Sequence, residues 1–343
     1  MNKILTVCIA AYNVDQYLNQ ALESLCLPRM MEFLEVLIID DGSIDNTSEI
    51  ANYYCKEYPN TFKYIFKENG GHGSVINLGI KLSEGKYFKI LDGDDWFDSG
   101  ALEDLLTNLK DTDADLICLN QKNVYMETGK VEILTFKDIE YKKIYEFKDV
   151  CEKFFFNFGI ARTCIKTTIL KDNNITLNEK TYYVDMQYTV FQSIFLNTVI
   201  FYDAILYVYR LERDGQSVSL KGLIAHKKDH IFVINTLMLF FIKIEKDSSI
   251  HINVKRYIAK IIQHMIRQQY IIFLKIPFLV NRKEEVIKFD KDLNRDKALS
   301  RLDSYSKPNS MVQFARFANY SMVNILSRII KFKDILKSLK GNL

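Results

Sequence analysis

The first 120 residues of the 343-residue chain alternate between short apolar runs and longer segments whose apolar residues recur at helical spacing. Five runs have the composition of buried strands, and they lie at 4–10, 35–39, 62–66, 87–91 and 115–119. Helix-like segments separate them, at about 15–26, 46–57, 74–84 and 99–110. Strands that alternate with helices at this spacing form βαβ units with parallel strands. The pattern predicts an α/β fold, with a Rossmann-like, mostly parallel sheet flanked by helices.

The rest of the chain passes from a mixed pattern to a helical one. Further strands are predicted at 122–126, 131–136 and 204–210, the first two joined by a hairpin around Gly129, and a helix at about 184–196. From residue 221 the apolar residues keep helical spacing, which predicts helices at 223–244, 252–274, 282–290 and 309–337. We therefore expect a helical C-terminal region.

The two parts carry opposite charge. Residues 1–215 hold 22 Lys and Arg against 33 Asp and Glu, a balance of −11, and residues 216–343 hold 24 against 10, a balance of +14. This asymmetry predicts an α/β domain at 1–219 and a basic helical region at 220–343. A basic surface suits an anionic membrane, an acidic substrate or nucleic acid, but no recognised nucleic-acid-binding motif is present.

The cysteines and the apolar runs indicate in which cell compartment the protein is expected. Cys8 and Cys118 lie inside predicted strands, and none of the six cysteines forms a C-x-x-C pair, which is typical of reduced thiols in a cytoplasmic protein. The N-terminal stretch is predicted to be the first strand and not a signal peptide. No run of about 18 uncharged apolar residues predicts a membrane-spanning helix.

Carboxylates cluster where two predicted strands end. Asp92, Asp94 and Asp95 follow the run at 87–91, and Asp40 and Asp41 follow the run at 35–39. Ligands of parallel sheets bind beyond these strand ends, so we expect the acids to share one crevice. Two interpretations fit the first cluster: oxygen ligands for Mg²⁺ or Mn²⁺, or an acidic turn that caps the next helix. Asp41 fits either a hydrogen bond to a nucleoside or a plain turn.

Four other residues are candidates for binding or catalysis. Asp185 begins a predicted helix among aromatic residues, as a general base or as a charge favoured by the helix dipole. Arg210 and Arg213 lie at a strand end, where either binds a phosphate or pairs with the acidic crevice. His72, in a glycine-rich turn, is a possible ligand of a phosphate or a sugar hydroxyl, although a lone loop histidine is more often solvated.

The C-terminal tail has the pattern of a basic amphipathic helix. Its cations are Arg328, Lys331, Lys333, Lys337 and Lys340, and isoleucines such as Ile325 and Ile329 supply an apolar face. Binding to a membrane surface and docking on the protein body both fit this pattern.

Six stretches taken together resemble the family 2 glycosyltransferases, which have the GT-A fold. They are LTVCIAAYNVDQYLNQALESL, EVLIIDDGSIDNT, NGGHGSVINLGI, GKYFKILDGDDWFD, YVDMQY and YVYRLERDGQSVS. The resemblance is strong over 1–105, looser over 106–219 and absent beyond. It implies a nucleotide-sugar-binding half at 1–105 and an acceptor half at 106–219.

The resemblance also implies roles for single residues. Ala10, Tyr12 and Asp41, with Asp40 beside it, fall where the family binds the nucleotide. Asp94 falls on the metal ligand of the family's D-x-D motif, and Asp92 falls on the acid near the ribose or the metal. Asp95 is placed to assist them or to bind the sugar, and Arg210 to bind the diphosphate. The catalytic base falls on Asp185, where Val184 replaces the Glu that usually precedes it.

The implied activity is the inverting transfer of a sugar from a nucleotide-diphosphate sugar, in the first place a UDP-sugar. Mn²⁺ or Mg²⁺ is the implied cofactor. The expected acceptor is a hydroxyl of a glycan or a lipid-linked glycan in cell-surface polysaccharide synthesis. The protein is then expected in the cytoplasm or on the inner face of the membrane, and the aromatic-rich helical region suits a homodimer. Two alternatives are a non-catalytic glycan- or lipid-carrier-binding scaffold on the same fold and a sugar-phosphate nucleotidyltransferase. Nucleotidyltransferases of that family carry an Arg- and Lys-bearing loop right after the first strand, and this chain lacks that loop.

Overall fold

A computed structural model of the chain describes residues 3–154, 158–212, 220–276 and 281–330. The chain divides into two compact units, residues 1–216 and residues 217–343, and each is treated separately below.

The first unit is built on a ten-stranded sheet. Its strands are β1 (Leu5–Ala11), β2 (Leu34–Asp40), β3 (Phe62–Phe66), β4 (Tyr87–Asp92), β5 (Trp96–Phe97), β6 (Leu116–Tyr125), β7 (Val131–Leu134), β8 (Ile144–Glu146), β9 (Thr163–Lys166) and β10 (Thr198–Leu211). All seven residues of β2 are buried, as expected for a strand covered by helices on both faces.

The strand order is β3-β2-β1-β4-β9-β6-β10-β5. The sector β3-β2-β1-β4 is parallel, as the alternating pattern predicts, and β6 pairs in parallel with β10. The short strand β9 is antiparallel to both β4 and β6, so the whole sheet is mixed. The α/β fold with flanking helices is confirmed.

The described residues of this unit form seven α-helices: α1 (Asp15–Glu23), α2 (Thr47–Glu57), α3 (His72–Leu82), α4 (Ser99–Asp111), α5 (Phe147–Val150), α6 (Thr167–Asp172) and α7 (Val184–Ser193). The buried positions of α4 are Leu102, Leu105, Leu106 and Leu109, whose helical spacing forms one apolar stripe. Helix α3 begins two residues before the predicted start, because Gly71 takes its N-cap position with a φ of 79°. That left-handed conformation is open to glycine and strained for most other residues.

One predicted interruption in the sheet is wrong. The runs at 115–119 and 122–126 were predicted as separate strands, but both lie in the continuous strand β6. The strand β10 pairs with β6 along its length, and the register of this pairing shifts between Tyr202 and Tyr207. The predicted hairpin is present as the antiparallel pair of β6 and β7.

The second unit is helical in its described residues. Its helices are α8 (Leu220–Ala225), α9 (Lys227–Ile244), α10 (Ile252–Lys275), α11 (Arg282–Leu293), α12 (Ala298–Tyr305) and α13 (Ser310–Phe317), and residues 323–330 are helical as well. Across the described ranges of both units, no helix combines the length and the apolarity that crossing a bilayer requires.

The single helix predicted at 309–337 is wrong, because the chain bends within it. Asn319 and Tyr320 have φ values of 46° and 60°, which ends an α-helix. The bend brings the Tyr320 hydroxyl to Asp290, to which it donates a hydrogen bond of 2.8 Å. Four predicted cations of the tail, Lys331, Lys333, Lys337 and Lys340, lie outside the described residues.

Candidate active site

The candidate site lies at the carboxyl ends of β1, β2 and β4. Parallel pairing sets Ala10 opposite Asp92 and Ala11 opposite Asp40. The amide of Gly93 donates to the Ala10 carbonyl at 2.9 Å, and a Cβ at Gly93 would lie 2.9 Å from that oxygen. Only a glycine allows the acidic loop to approach β1 this closely. The acidic ends of β2 and β4 therefore flank the end of β1, one on each side.

A buried tyrosine joins two acids of the loop. Tyr207, on β10, donates from its hydroxyl to Oδ2 of Asp95 at 2.7 Å and accepts from the amide of Asp92 at 3.2 Å. The same hydroxyl lies 3.3 Å from Oδ2 of Asp92. Burial raises the pKa of Asp95 well above its usual range, and the negative charges of Asp94 and Asp92 raise it further. The loop therefore concentrates negative charge that a cation would relieve.

Arg210 holds the acidic loop in place through hydrogen bonds to Asp94 and Asp95. Its backbone amide donates to Oδ1 of Asp95 at 2.7 Å, and its Nε donates to the carbonyl of Asp94 at 2.8 Å. The guanidinium carbon lies 4.8 Å from the ring centroids of both Tyr17 and Trp96. Because the side chain is buried and held in this way, its described contacts are positioning ones. Its predicted contact with a diphosphate stays a prediction, and Arg213 lies outside the described residues.

A polar cavity of about 520 Å³ lies beside Arg210. Its lining residues are Asn13, Asp15, Gln16, Tyr17, Met126, Arg210 and Glu212. Two carboxylates and two amides suit hydrogen bonds to hydroxyl groups.

The acids after β2 are held by the protein itself. Asp40 is fully buried and accepts from the amide of Ser43 at 2.7 Å and from the hydroxyl of Tyr64 at 2.9 Å. Asp41 accepts from Lys67 Nζ at 2.6 Å and from the amides of Gly70 and Gly71 at 2.9 and 2.7 Å. Asp41 therefore fixes the glycine-rich turn that leads into α3.

That turn places His72 among three carboxylates. His72 Nε2 lies 3.2 Å from Oδ1 of Asp92. Burial disfavours the imidazolium, but attraction to Asp92, with smaller contributions from Asp185 and Asp94, raises the pKa of His72 above its usual value. In turn, burial raises the pKa of Asp185, while the charge of His72 opposes that rise. The charges of Asp185 at the start of α7 and of the acids after β4 therefore both act on His72.

Asp92 and Asp94 suit a hard divalent cation, although the site is not a complete cage. Among the residues that the structure describes, no group of three His, Cys, Asp or Glu side chains is arranged to hold a metal. Mg²⁺ is typically bound by one or two carboxylates together with substrate phosphates, and so needs no such group. The carboxylates of Asp92, the last residue of β4, and of Asp94, in the loop after it, fit this donor set.

The structure brings together most of the predicted residues and adds Tyr207. Ala10, Asp92, Asp94 and Asp95 lie at adjoining strand ends, and Tyr12 follows β1 with 52% of its surface exposed. Tyr207 was missed, because nothing in the local sequence marks one tyrosine of an apolar strand as a partner of Asp95. The predicted contact of His72 with a phosphate or a sugar hydroxyl stays a prediction, and the structure adds its approach to Asp92.

Residues 6–166 match the family model described as glycosyl transferase family 2. These residues belong to that family. Over 125 residues the chain is 36% identical to the putative glycosyltransferase EpsH of Bacillus subtilis, covering 36% of each chain. Over 102 residues it is 36% identical to the minor teichoic acid biosynthesis protein GgaB of the same organism, covering 29% of this chain and 11% of GgaB. The aligned parts are thus well under two thirds of these relatives.

Solved structures extend the likeness in fold beyond the residues that the family model matches. The Staphylococcus aureus TarS fragment 1–349, in complex with UDP-GlcNAc, matches with a TM-score of 0.72 at 19% identity, over 95% of this chain and 91% of that one. A mannosyltransferase from Pyrobaculum calidifontis, in complex with GDP-Man and Mn²⁺, matches with a TM-score of 0.51 at 13% identity, over 96% and 84%. The family 2 domain has the GT-A fold.

Proposed function

We propose that the protein is an inverting glycosyltransferase that moves a sugar from a nucleotide-diphosphate sugar to a hydroxyl of a glycan or lipid-linked glycan. One observation carries the proposal: in a family 2 domain, the carboxylates at the end of β4 and at the start of α7 both act on the imidazole of His72, whose Nε2 lies 3.2 Å from Asp92. An acceptor hydroxyl needs a base on one side of the sugar, and a diphosphate leaving group needs charge compensation on the other.

The nucleotide of the donor would lie across the ends of β1, β2 and β4. The exposed ring of Tyr12 offers a surface for the base, beside Ala10 and the acids Asp40 and Asp41. A UDP-sugar is the proposed donor, in line with the UDP-GlcNAc and UDP complexes of TarS. Because Asp41 already accepts from Lys67 and two glycine amides, its proposed contact with the base would use the oxygen edge that these donors leave.

The acids after β4 would take up the diphosphate side of the donor. Mn²⁺ or Mg²⁺ held by Asp94 and Asp92 would offset the negative charge of the diphosphate as it leaves. Arg210 keeps the loop in place through the carbonyl of Asp94 and the carboxylate of Asp95. We assign Asp95 a supporting part, since its carboxyl is buried and already accepts from Tyr207 and Arg210.

Asp185 is the proposed general base. Its carboxylate would accept the proton of the acceptor hydroxyl as that oxygen bonds to the anomeric carbon. The bond from the anomeric carbon to the phosphate oxygen breaks on the opposite face, so the configuration inverts. The raised pKa of Asp185 makes it a stronger base than an exposed aspartate.

The acceptor is proposed to belong to cell-surface polysaccharide, on the analogy of GgaB, whose name refers to teichoic acid biosynthesis. The balance of +14 over 216–343 suits an anionic lipid surface on the cytoplasmic face of the membrane. Ile325 and Ile329 are exposed on one face of the helix at 323–330, with Arg328 beside them. A homodimer through the helical region is a further proposal.

The test is a panel of nucleotide sugars, incubated with the protein and Mn²⁺ or Mg²⁺ and followed by mass spectrometry for the release of nucleoside diphosphate. We expect release from at least one UDP-sugar, and a loss of at least about 100-fold in Asp185→Asn. The control is Asp104→Asn, an exposed acid on α4, which should keep full activity. No release from any donor, or an unchanged rate in Asp185→Asn, would contradict the proposal.

A further inference from the structure

His72 is held in place from two directions. On one side, Asp41 binds the amides of Gly70 and Gly71, which directly precede it. On the other side, the Gly70 carbonyl accepts from the amide of Lys180, in the segment that leads to α7. These hydrogen bonds fix the backbone of Gly70 and Gly71 from two sides and so give the imidazole a defined position near β4 and α7.

Nε2 of the His72 imidazole is a buried polar atom that can still form a hydrogen bond. His72 Nε2 is buried and makes no well-aligned hydrogen bond within the described residues, yet it lies 3.2 Å from Oδ1 of Asp92. A buried polar group left unpaired costs about 1 to 3 kcal/mol, so native proteins keep few of them. In ligand-free sites such bonds are often poorly aligned, and they tighten when substrate binds. A small rotation of either side chain would let Nε2–H donate to Asp92.

The geometry of the Tyr207 hydroxyl makes a hydrogen bond from His72 to Asp92 important for Asp92. The Tyr207 hydroxyl has a single proton, and its short contact of 2.7 Å is to Asp95, against 3.3 Å to Oδ2 of Asp92. Tyr207 therefore stabilises Asp95 first. His72 approaches the other oxygen of Asp92, Oδ1, from α3.

We propose that His72 is a positioning residue for Asp92: its imidazole orients the Asp92 carboxylate toward the cation and the diphosphate of the donor. The inference rests on the proposed function, because it takes Asp92 as part of the donor site. Groups that orient a metal-binding carboxylate or histidine through a hydrogen bond typically contribute 10- to 100-fold to metal affinity. The role needs a hydrogen-bond donor at this position and no change in protonation.

The test is a double-mutant cycle on the binding of UDP, measured by calorimetry with and without MnCl₂. His72→Ala should weaken binding in the presence of Mn²⁺ by about 10-fold, and leave metal-free binding unchanged. In an Asp92→Ala background the same substitution should have less than a 2-fold effect, because the oxygen that would accept the hydrogen bond is gone. His72→Gln, which keeps a donor, should recover part of the loss.

The controls separate this role from others. Glu68→Ala, at an exposed position of the same loop, should bind UDP as the wild type does. An equal loss from His72→Ala in both backgrounds, or an equal loss with and without Mn²⁺, would overturn the inference and indicate a structural role or direct contact with the nucleotide. Release of nucleoside diphosphate by the wild type is scored separately. If the wild type binds UDP with Mn²⁺ but turns over no donor, the proposed function fails while the role of His72 is still measured.

Discussion

Removing one hydroxyl group should loosen the acidic loop. In Tyr207→Phe the ring keeps its packing against Phe97, but the carboxyl of Asp95 loses a donor at 2.7 Å and the amide of Asp92 loses its acceptor at 3.2 Å. A buried polar group that loses its partner costs about 1 to 3 kcal/mol, so the two losses together should destabilise the first unit by about 3 kcal/mol. With a urea slope of about 2 to 3 kcal/mol per M, the unfolding midpoint should fall by about 1 M.

The assay has a reporter inside the loop's own sheet. Trp96 is the one tryptophan of the chain, and it pairs with Val208 next to Tyr207. Its fluorescence therefore follows the unfolding of this unit. The matched control is Tyr202→Phe, on the same strand, whose hydroxyl is 2.8 Å from that of Thr112. We expect a loss of about 1 kcal/mol there. If Tyr207→Phe is no less stable than Tyr202→Phe, the hydrogen bonds assigned to Asp95 and Asp92 do not hold the loop.

Three further outcomes can be measured on the same protein. Asp185→Asn should lower the turnover rate by at least about 100-fold and leave UDP affinity within 2-fold, by kinetics and calorimetry, whereas parallel losses in both would contradict its role as base. Burial, with the charges of Arg267 and His230, lowers the pKa of His264 to about 4, below the value of 6.5 expected for the unfolded chain. The unfolded state then takes up a proton more readily, so stability should fall between pH 6.5 and pH 4, by about 1 kcal/mol at pH 5 once solvent screening is allowed for. His264→Gln should flatten that slope in urea titrations followed by circular dichroism, and an unchanged slope would assign it to other groups. Asp290 accepts from two tyrosines and an arginine, so Asp290→Ala should destabilise the second unit by about 3 kcal/mol in the same assay, and a loss under 1 kcal/mol would show that the network is not stabilising.

The parallel sector of the sheet was predictable because its signals are local. The runs that became β1 to β4 are mostly apolar, and turn residues bound each of them. The antiparallel insertion of β9 was not predictable. Its four residues, Thr163–Lys166, carry too short a pattern, and their partners are distant in the chain.

The candidate site also has a part that the sequence predicts and a part that it does not. Asp92, Asp94 and Asp95 were predictable because acids that follow an apolar strand fall at a ligand-binding edge. Tyr207 reaches Asp95 only after β10 has paired with β5, a contact between residues more than 100 positions apart in the chain. The bend at Asn319 and Tyr320 likewise follows from a tertiary contact with Asp290, which no helical periodicity records.

The central claim is that the acids after β4 bind a nucleoside diphosphate through a divalent cation. Calorimetric titration of UDP into the wild type and into Asp94→Asn, each with and without MnCl₂, tests it most directly. We expect Mn²⁺ to tighten UDP binding at least 10-fold in the wild type and to have no effect in the variant. Equal UDP affinity in all four titrations would contradict the claim.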